Sequence, residues 1–165
     1  MKRTELPIPE KYFQGNGIDV GAGYNPLEDT LSIDQVVRGG MVDVNPSKAI
    51  WQADALNLPL KDNTCDYVFS SHFLEHAGDM LSVVLLEFDR VLKHGGYIIA
   101  IVPDKRFCLP KGDHFEFVAA PGNIFPEPHG LIPQELRGLL EVMSYKLLQF
   151  DALKNDFTFE VVAQK

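Results

Sequence analysis

Tyr97-Ile98-Ile99-Ala100-Ile101-Val102-Pro103 narrows the possible folds more than any other segment, because its apolar positions run on without polar alternation. A strand patterned this way is covered on both faces, as a central strand of a parallel sheet is. Just upstream, residues 79–93 carry Met80, Val83, Val84, Phe88, Val91 and Leu92 at helical spacing. Asp79 is placed to cap that helix, and Gly95-Gly96 to stop it. A helix that feeds a doubly buried strand is half of a βαβ unit, so the chain is expected to be α/β.

The remaining segments extend this pattern. Gly17-Ile18-Asp19-Val20 runs into Gly21-Ala22-Gly23, and Thr30-Leu31-Ser32-Ile33 ends in Asp34. Residues 49–53 and 65–71 read as further strands, and Pro133 opens a helix that reaches about Met143. Residues 145–153 and 157–163 read as strands joined by Lys154-Asn155-Asp156, which is turn chemistry. The expected fold is a Rossmann-like, doubly wound, mostly parallel sheet that ends in an antiparallel C-terminal hairpin. The length of 165 residues suits one domain over 1–165. The Pro-, Gly- and aromatic-rich stretch 104–132 is long and without period, and we read it as a lid.

Composition excludes several classes. With 45% hydrophobic and 23% charged residues, the chain is neither disordered nor fibrous. A net charge of −8 gives no general basic surface, which disfavours nucleic acid as a partner. Cys65 and Cys108 are far apart and lack metal-ligand spacing, so reduced thiols and no metal are expected. No apolar run approaches the ~18 residues of a membrane span, and the N-terminus has no signal-peptide core. The expected location is the cytoplasm, with no membrane partner.

Two glycines directly after a strand let the backbone approach a ligand closely. A dinucleotide fingerprint wants a third glycine, but the chain continues Tyr24-Asn25-Pro26, which counts against a nicotinamide cofactor. Four motifs in order are more specific. Ile18-Asp19-Val20-Gly21-Ala22-Gly23, Asp54-Ala55-Leu56-Asn57-Leu58-Pro59, Cys65 through His76, and Arg90-Val91-Leu92-Lys93-His94-Gly95-Gly96 together resemble the class I S-adenosylmethionine-dependent methyltransferases, type 11 small-molecule subgroup.

That resemblance implies S-adenosylmethionine as cofactor and a small molecule as methyl acceptor. It sets Asp19 near the methionyl ammonium and Gly21, Ala22 and Gly23 beside the methionyl and ribose parts. Asp34 would hold the ribose hydroxyls, and Asp54, Ala55 and Leu56 would meet the adenine. Ser71 and His72 would lie beside the sulfonium, with His72 the candidate catalytic residue. One departure matters: the link from Gly23 to Asp34 is too short for the usual helix. Asp34 is the reading taken for the ribose acid; the alternative places a helix at 27–37 and gives the role to Asp43.

Other residues have plainer readings. Glu75 and His76 read as the start or cap of the following helix. His114 and His129, with Asp113, flank the lid without a metal spacing. The segment Ser71-His72-Phe73-Leu74 lacks the Pro-Pro element of enzymes that methylate planar amino groups, so methylation of a nucleobase amine is disfavoured. A non-catalytic cofactor-binding or partner subunit is the competing function, and an exposed hairpin edge makes a homodimer an expectation.

Overall fold

The computed structural model describes residues 1–2, 5–35, 48–104, 131–152 and 158–165. Seven strands form one sheet: β1 (Gly17–Val20), β2 (Leu31–Asp34), β3 (Trp51–Gln52), β4 (Cys65–Ser71), β5 (Leu92–Pro103), β6 (Lys146–Ala152) and β7 (Thr158–Gln164). Their order across the sheet is β3-β2-β1-β4-β5-β7-β6. All neighbouring pairs among β1 to β5 are parallel, whereas β7 runs antiparallel between β5 and β6. The mostly parallel sheet with an antiparallel C-terminal hairpin is thus the one the hydrophobic pattern predicts.

Burial of both faces explains the unbroken apolar run in β5. Ile98, Ala100 and Val102 join a core with α1 (Leu81–Val91) and α2 (Pro133–Val142), while Ile99 and Ile101 join a second core with Ile8, Phe13 and Leu27. Helix α1 buries Leu81, Val84, Leu85, Phe88 and Val91, one stripe at the spacing that a 3.6-residue period requires. At ~25 cal/mol per Å² of apolar surface, each such side chain contributes roughly 1.5–3 kcal/mol. In α2, Pro133 stands in the first turn, where its missing N–H costs no hydrogen bond.

Both expected ends of α1 differ in the structure. Asp79 lies in the preceding 3₁₀ turn Gly78–Met80, and Met80 occupies the N-cap without a side-chain bond. The helix stops at Val91, before the glycines, because Leu92 already pairs with Cys65 of β4. The Lys165 ammonium then donates to the carbonyls of Asp89 (2.7 Å) and Leu92 (3.0 Å), meeting acceptors that a helix end leaves open.

Between Gly23 and Leu31 the chain makes turns and bends and no helix, and Leu31–Asp34 is the strand beside β1. Asp43, most of the expected lid (105–130, including Cys108, Asp113, His114 and His129) and the hairpin turn at 153–157 lie outside the described residues. Among the described residues, no helix is long and apolar enough to cross a membrane.

Candidate cofactor and methyl-transfer site

In an open parallel sheet, ligands bind beyond the carboxyl ends of the strands, where the strand order reverses. Here that place lies between β1 and β4. The glycine turn leaves β1 on one side of it, and His72 leaves β4 on the other.

The glycine turn is built against the end of β2. Gly21 and Ala22 donate their N–H groups to the carbonyl of Ile33 at 2.9 and 3.2 Å. Gly23 donates to Asp34 Oδ2 at 2.8 Å. Gly21 (φ +73°) and Gly23 (φ +53°) both sit in the left-handed region, where a Cβ is penalised. At Gly21 there is a second reason for glycine: a Cβ would lie 2.5 Å from Phe73, so the segment after β4 packs directly on the turn. Among the described residues, the nearest atom to a Cβ at Gly23 would be the Gly21 carbonyl oxygen, at 4.0 Å.

Asp34 sits half-buried at the end of β2, with one oxygen ordering the turn. Its carbonyl accepts from Ala53, which ties β2 to the next loop. In that loop Asp54 Oδ1 accepts from Leu56 N–H at 2.9 Å and the Asp54 carbonyl accepts from Asn57, closing a compact turn through Ala55 and Leu56. Two residues of α1 clamp its far side. Glu87 accepts from Leu58 N–H at 2.7 Å, while Arg90 donates to the carbonyls of Leu58 and Leu60 and to the carboxylates of Glu87 and Asp62.

Asp19 is buried in β1, and its Oδ2 accepts from Leu27 N–H at 2.7 Å, closing the loop that follows the glycines. Burial pushes its pKa up to about 6; the Leu27 bond and the N-terminal ammonium pull it back, and Asp34 adds to the rise. A cationic group approaching this carboxyl would relieve that penalty. Asp19 thus has a structural task as well as the charge suited to an ammonium.

His72 holds a left-handed backbone (φ +53°), uncommon for a residue with a Cβ, and its N–H donates to Ile101 of β5. That conformation ends β4 sharply just after Ser71, whose backbone still pairs with Ile101. Nearby, sequence reasoning overlooked one side chain. Glu75, read as a helix start, is buried in the 3₁₀ turn Leu74–His76, and desolvation lifts its pKa to about 8. No periodic signal marks so short a turn; an acid between two histidines was the available hint.

The family model described as "Methyltransferase domain", type 11, matches residues 26–100. The match takes in 75 of the 165 residues, and over that stretch the chain resembles a type 11 methyltransferase domain. Within its matched stretch lie Asp34, Asp54 to Leu56, Ser71 and His72, whereas Asp19 and the glycine turn come before it. That family match implies S-adenosylmethionine as the cofactor.

Demethylmenaquinone methyltransferase of Staphylococcus haemolyticus is 48% identical over 48 residues, a stretch covering 29% of this chain and 20% of that protein. The match thus spans only about a fifth of that relative's length. The S-adenosylmethionine-dependent methyltransferase of Mesorhizobium loti shares the fold at 14% identity, with a TM-score of 0.68 over 99% of this chain and 95% of that one. The 4+2 cyclase SpnF also shares it, at 13% identity and a TM-score of 0.64 over 94% of this chain and 78% of that one. A fold found in a cyclase as well as in methyltransferases leaves the reaction to be argued from the site.

Proposed function

We propose that the chain transfers a methyl group from S-adenosylmethionine to a small-molecule acceptor by in-line displacement. The supporting observation is the joining of the glycine turn to Asp34 on one side and to Phe73 on the other, at the point where the strand order reverses. The glycine backbone and the nearby acids Asp19 and Asp34 suit a cationic, ribose-bearing molecule.

In this reading Asp34 holds the ribose hydroxyls and Asp19 faces the methionyl ammonium. The backbone of Gly21, Ala22 and Gly23 runs beside the methionyl chain, while Asp54, Ala55 and Leu56 line the adenine end. Ser71 and His72 border the acceptor. The bound cofactor supplies an electrophilic methyl on a sulfonium whose leaving group is a neutral thioether. The protein's work is then chiefly alignment and exclusion of water.

Calorimetric titration of S-adenosylmethionine, S-adenosylhomocysteine and NAD tests the proposal. Both sulfur nucleotides are expected to bind and NAD not to. Asp34→Ala, which removes a charge-assisted hydrogen bond, is expected to weaken binding about 10- to 100-fold, and Asp19→Ala to weaken it too. Absence of binding by either sulfur nucleotide refutes the reading. Binding without turnover over a panel of acceptors favours a non-catalytic cofactor-binding or partner subunit.

A further inference from the structure

The backbone on both sides of Tyr24 is held in place. Gly23, just before it, donates its N–H to Asp34 Oδ2 at 2.8 Å and accepts at its carbonyl from the Lys48 N–H, also at 2.8 Å. Pro26, two residues on, has its φ fixed by its own ring. Leu27 is buried, and Asp19 accepts its N–H at 2.7 Å. A side chain between such anchors starts from a defined place.

Tyr24 nevertheless leaves 58% of its surface in water. Among the described residues its hydroxyl makes no hydrogen bond and its ring no aromatic contact. Scattered exposed apolar side chains are ordinary, and Val83 and Leu86 on the exposed face of α1 need no partner. Tyr24 differs in where it stands, on the turn that the cofactor reading assigns to ligand. An aromatic ring gains by covering apolar surface, and folding uses little of that gain here.

The hydrogen bonds beside Tyr24 distinguish the two ends of this turn. The Gly21 end abuts Phe73, after β4, whereas the Gly23 end is tied to Asp34, at the end of β2. Asp34 is tied in turn, through its carbonyl, to the Ala53 N–H at 3.0 Å, one residue before Asp54. Tyr24 follows the Gly23 end. Two successive hydrogen bonds therefore join its neighbour to the loop read as the adenine end of the site.

We infer that Tyr24 is a cofactor-binding residue whose ring stacks on the adenine of bound S-adenosylmethionine. This rests on the cofactor reading above. A purine has an uncharged π-face that an aromatic ring can cover, while its polar edge stays available to the Asp54 loop. The charged sulfonium belongs, in the same reading, to the opposite end of the turn, by Ser71 and His72. Tyr24 takes no part in methyl transfer; it sets how tightly the adenosyl half is held.

Calorimetry with S-adenosylmethionine and S-adenosylhomocysteine tests this on wild type, Tyr24→Phe and Tyr24→Ala. Tyr24→Phe keeps the ring and is expected to bind both within about twofold of wild type. Tyr24→Ala is expected to weaken both by the same factor, about 10-fold or more. Its melting temperature should stay within about 3 °C of wild type, because the ring is mostly exposed. Unchanged binding in Tyr24→Ala overturns the inference. So does a loss confined to S-adenosylmethionine, which would set the ring against the sulfonium, the one charge that S-adenosylhomocysteine lacks.

A second measurement needs no folded variant. In wild type bound to S-adenosylhomocysteine, NMR is expected to show nuclear Overhauser contacts between the adenine protons and the Tyr24 ring, and their absence overturns the stack. The two readings fail separately. Wild type that binds neither sulfur nucleotide refutes methyl transfer, whereas wild type that binds both without those contacts refutes only the role of Tyr24.

Discussion

At Gly21 two independent constraints meet on one atom that is not there. The backbone lies at φ +73°, and the space a Cβ would take is filled by Phe73. Gly21→Ala is therefore expected to cost about 2–3 kcal/mol, combining left-handed strain with overpacking. For a chain of this size that lowers the melting temperature by about 5–10 °C. Phe73→Ala should recover part of the loss in the double variant, since it removes the ring but leaves the strain. A double-mutant cycle measured by thermal unfolding checks this; strict additivity would show that the ring and the turn do not press on each other.

Elements matter where one of them holds a loop that none of its own residues could hold. Helix α1 does this through Glu87 and Arg90, whose bonds to Leu58 and Leu60 fix the loop carrying Asp54. Arg90 keeps Glu87 ionised below the usual carboxylate range, and its own guanidinium is held yet more firmly protonated by Glu87 and Asp62. The Arg90 side chain is 31% exposed, so part of this attraction is screened. Arg90→Ala is expected to cost about 1–2 kcal/mol, with faster amide exchange at residues 56–60 and weaker binding of adenosine. An unchanged exchange rate there would show that the loop holds itself.

The same helix shows how far local pattern reaches. Its buried face and the doubly buried strand after it are legible in the sequence because apolar spacing reports burial directly. Its ends are not. Val91 is the last helical residue because Leu92 enters the sheet and Lys165, far along the chain, takes the open carbonyls. Asp34 was legible as the acid ending a strand, and the short link from Gly23 favoured it. Its bond to Gly23 depends on two strands lying side by side, which no single segment encodes. Glu75 was misread for a related reason, since its burial depends on β5 lying across a turn too short to show a period.

For the whole molecule, buried acids set the response to pH. A carboxyl whose folded pKa exceeds its unfolded one binds its proton more tightly when folded. Stability is then lost as pH rises past the unfolded value, and the loss is complete above the folded value. Asp19 acts this way from 3.8 to about 6, and Glu75 from 4.5 to about 8. Asp66, held low first by its bond with Lys93, and Glu87, held low by Arg90, act oppositely: they stabilise above their ordinary range and lose that contribution as pH falls below it. The unfolding free energy of the free protein, measured by urea titration, is accordingly expected to fall between pH 5.5 and 8, by an amount on the order of a few kcal/mol, and the urea midpoint with it. Glu75→Gln should flatten the part above pH 6. A midpoint that rises across that range in the wild type would contradict the burial of these groups.

The bonds from the glycine turn to Ile33 and Asp34 also carry a consequence for how the protein's margin behaves. β2 and β3 are short, and β3 exposes both of its residues to solvent, so this rim of the sheet is expected to open readily. A ligand seated on the turn braces that rim, and at 100 times its dissociation constant it adds about 2.7 kcal/mol to the folded state. Slowed hydrogen exchange at the amides of Gly23, Ile50 and Ala53 would then register occupancy without any chemical turnover. The weakest border of the sheet would serve as the molecule's own gauge of cofactor supply.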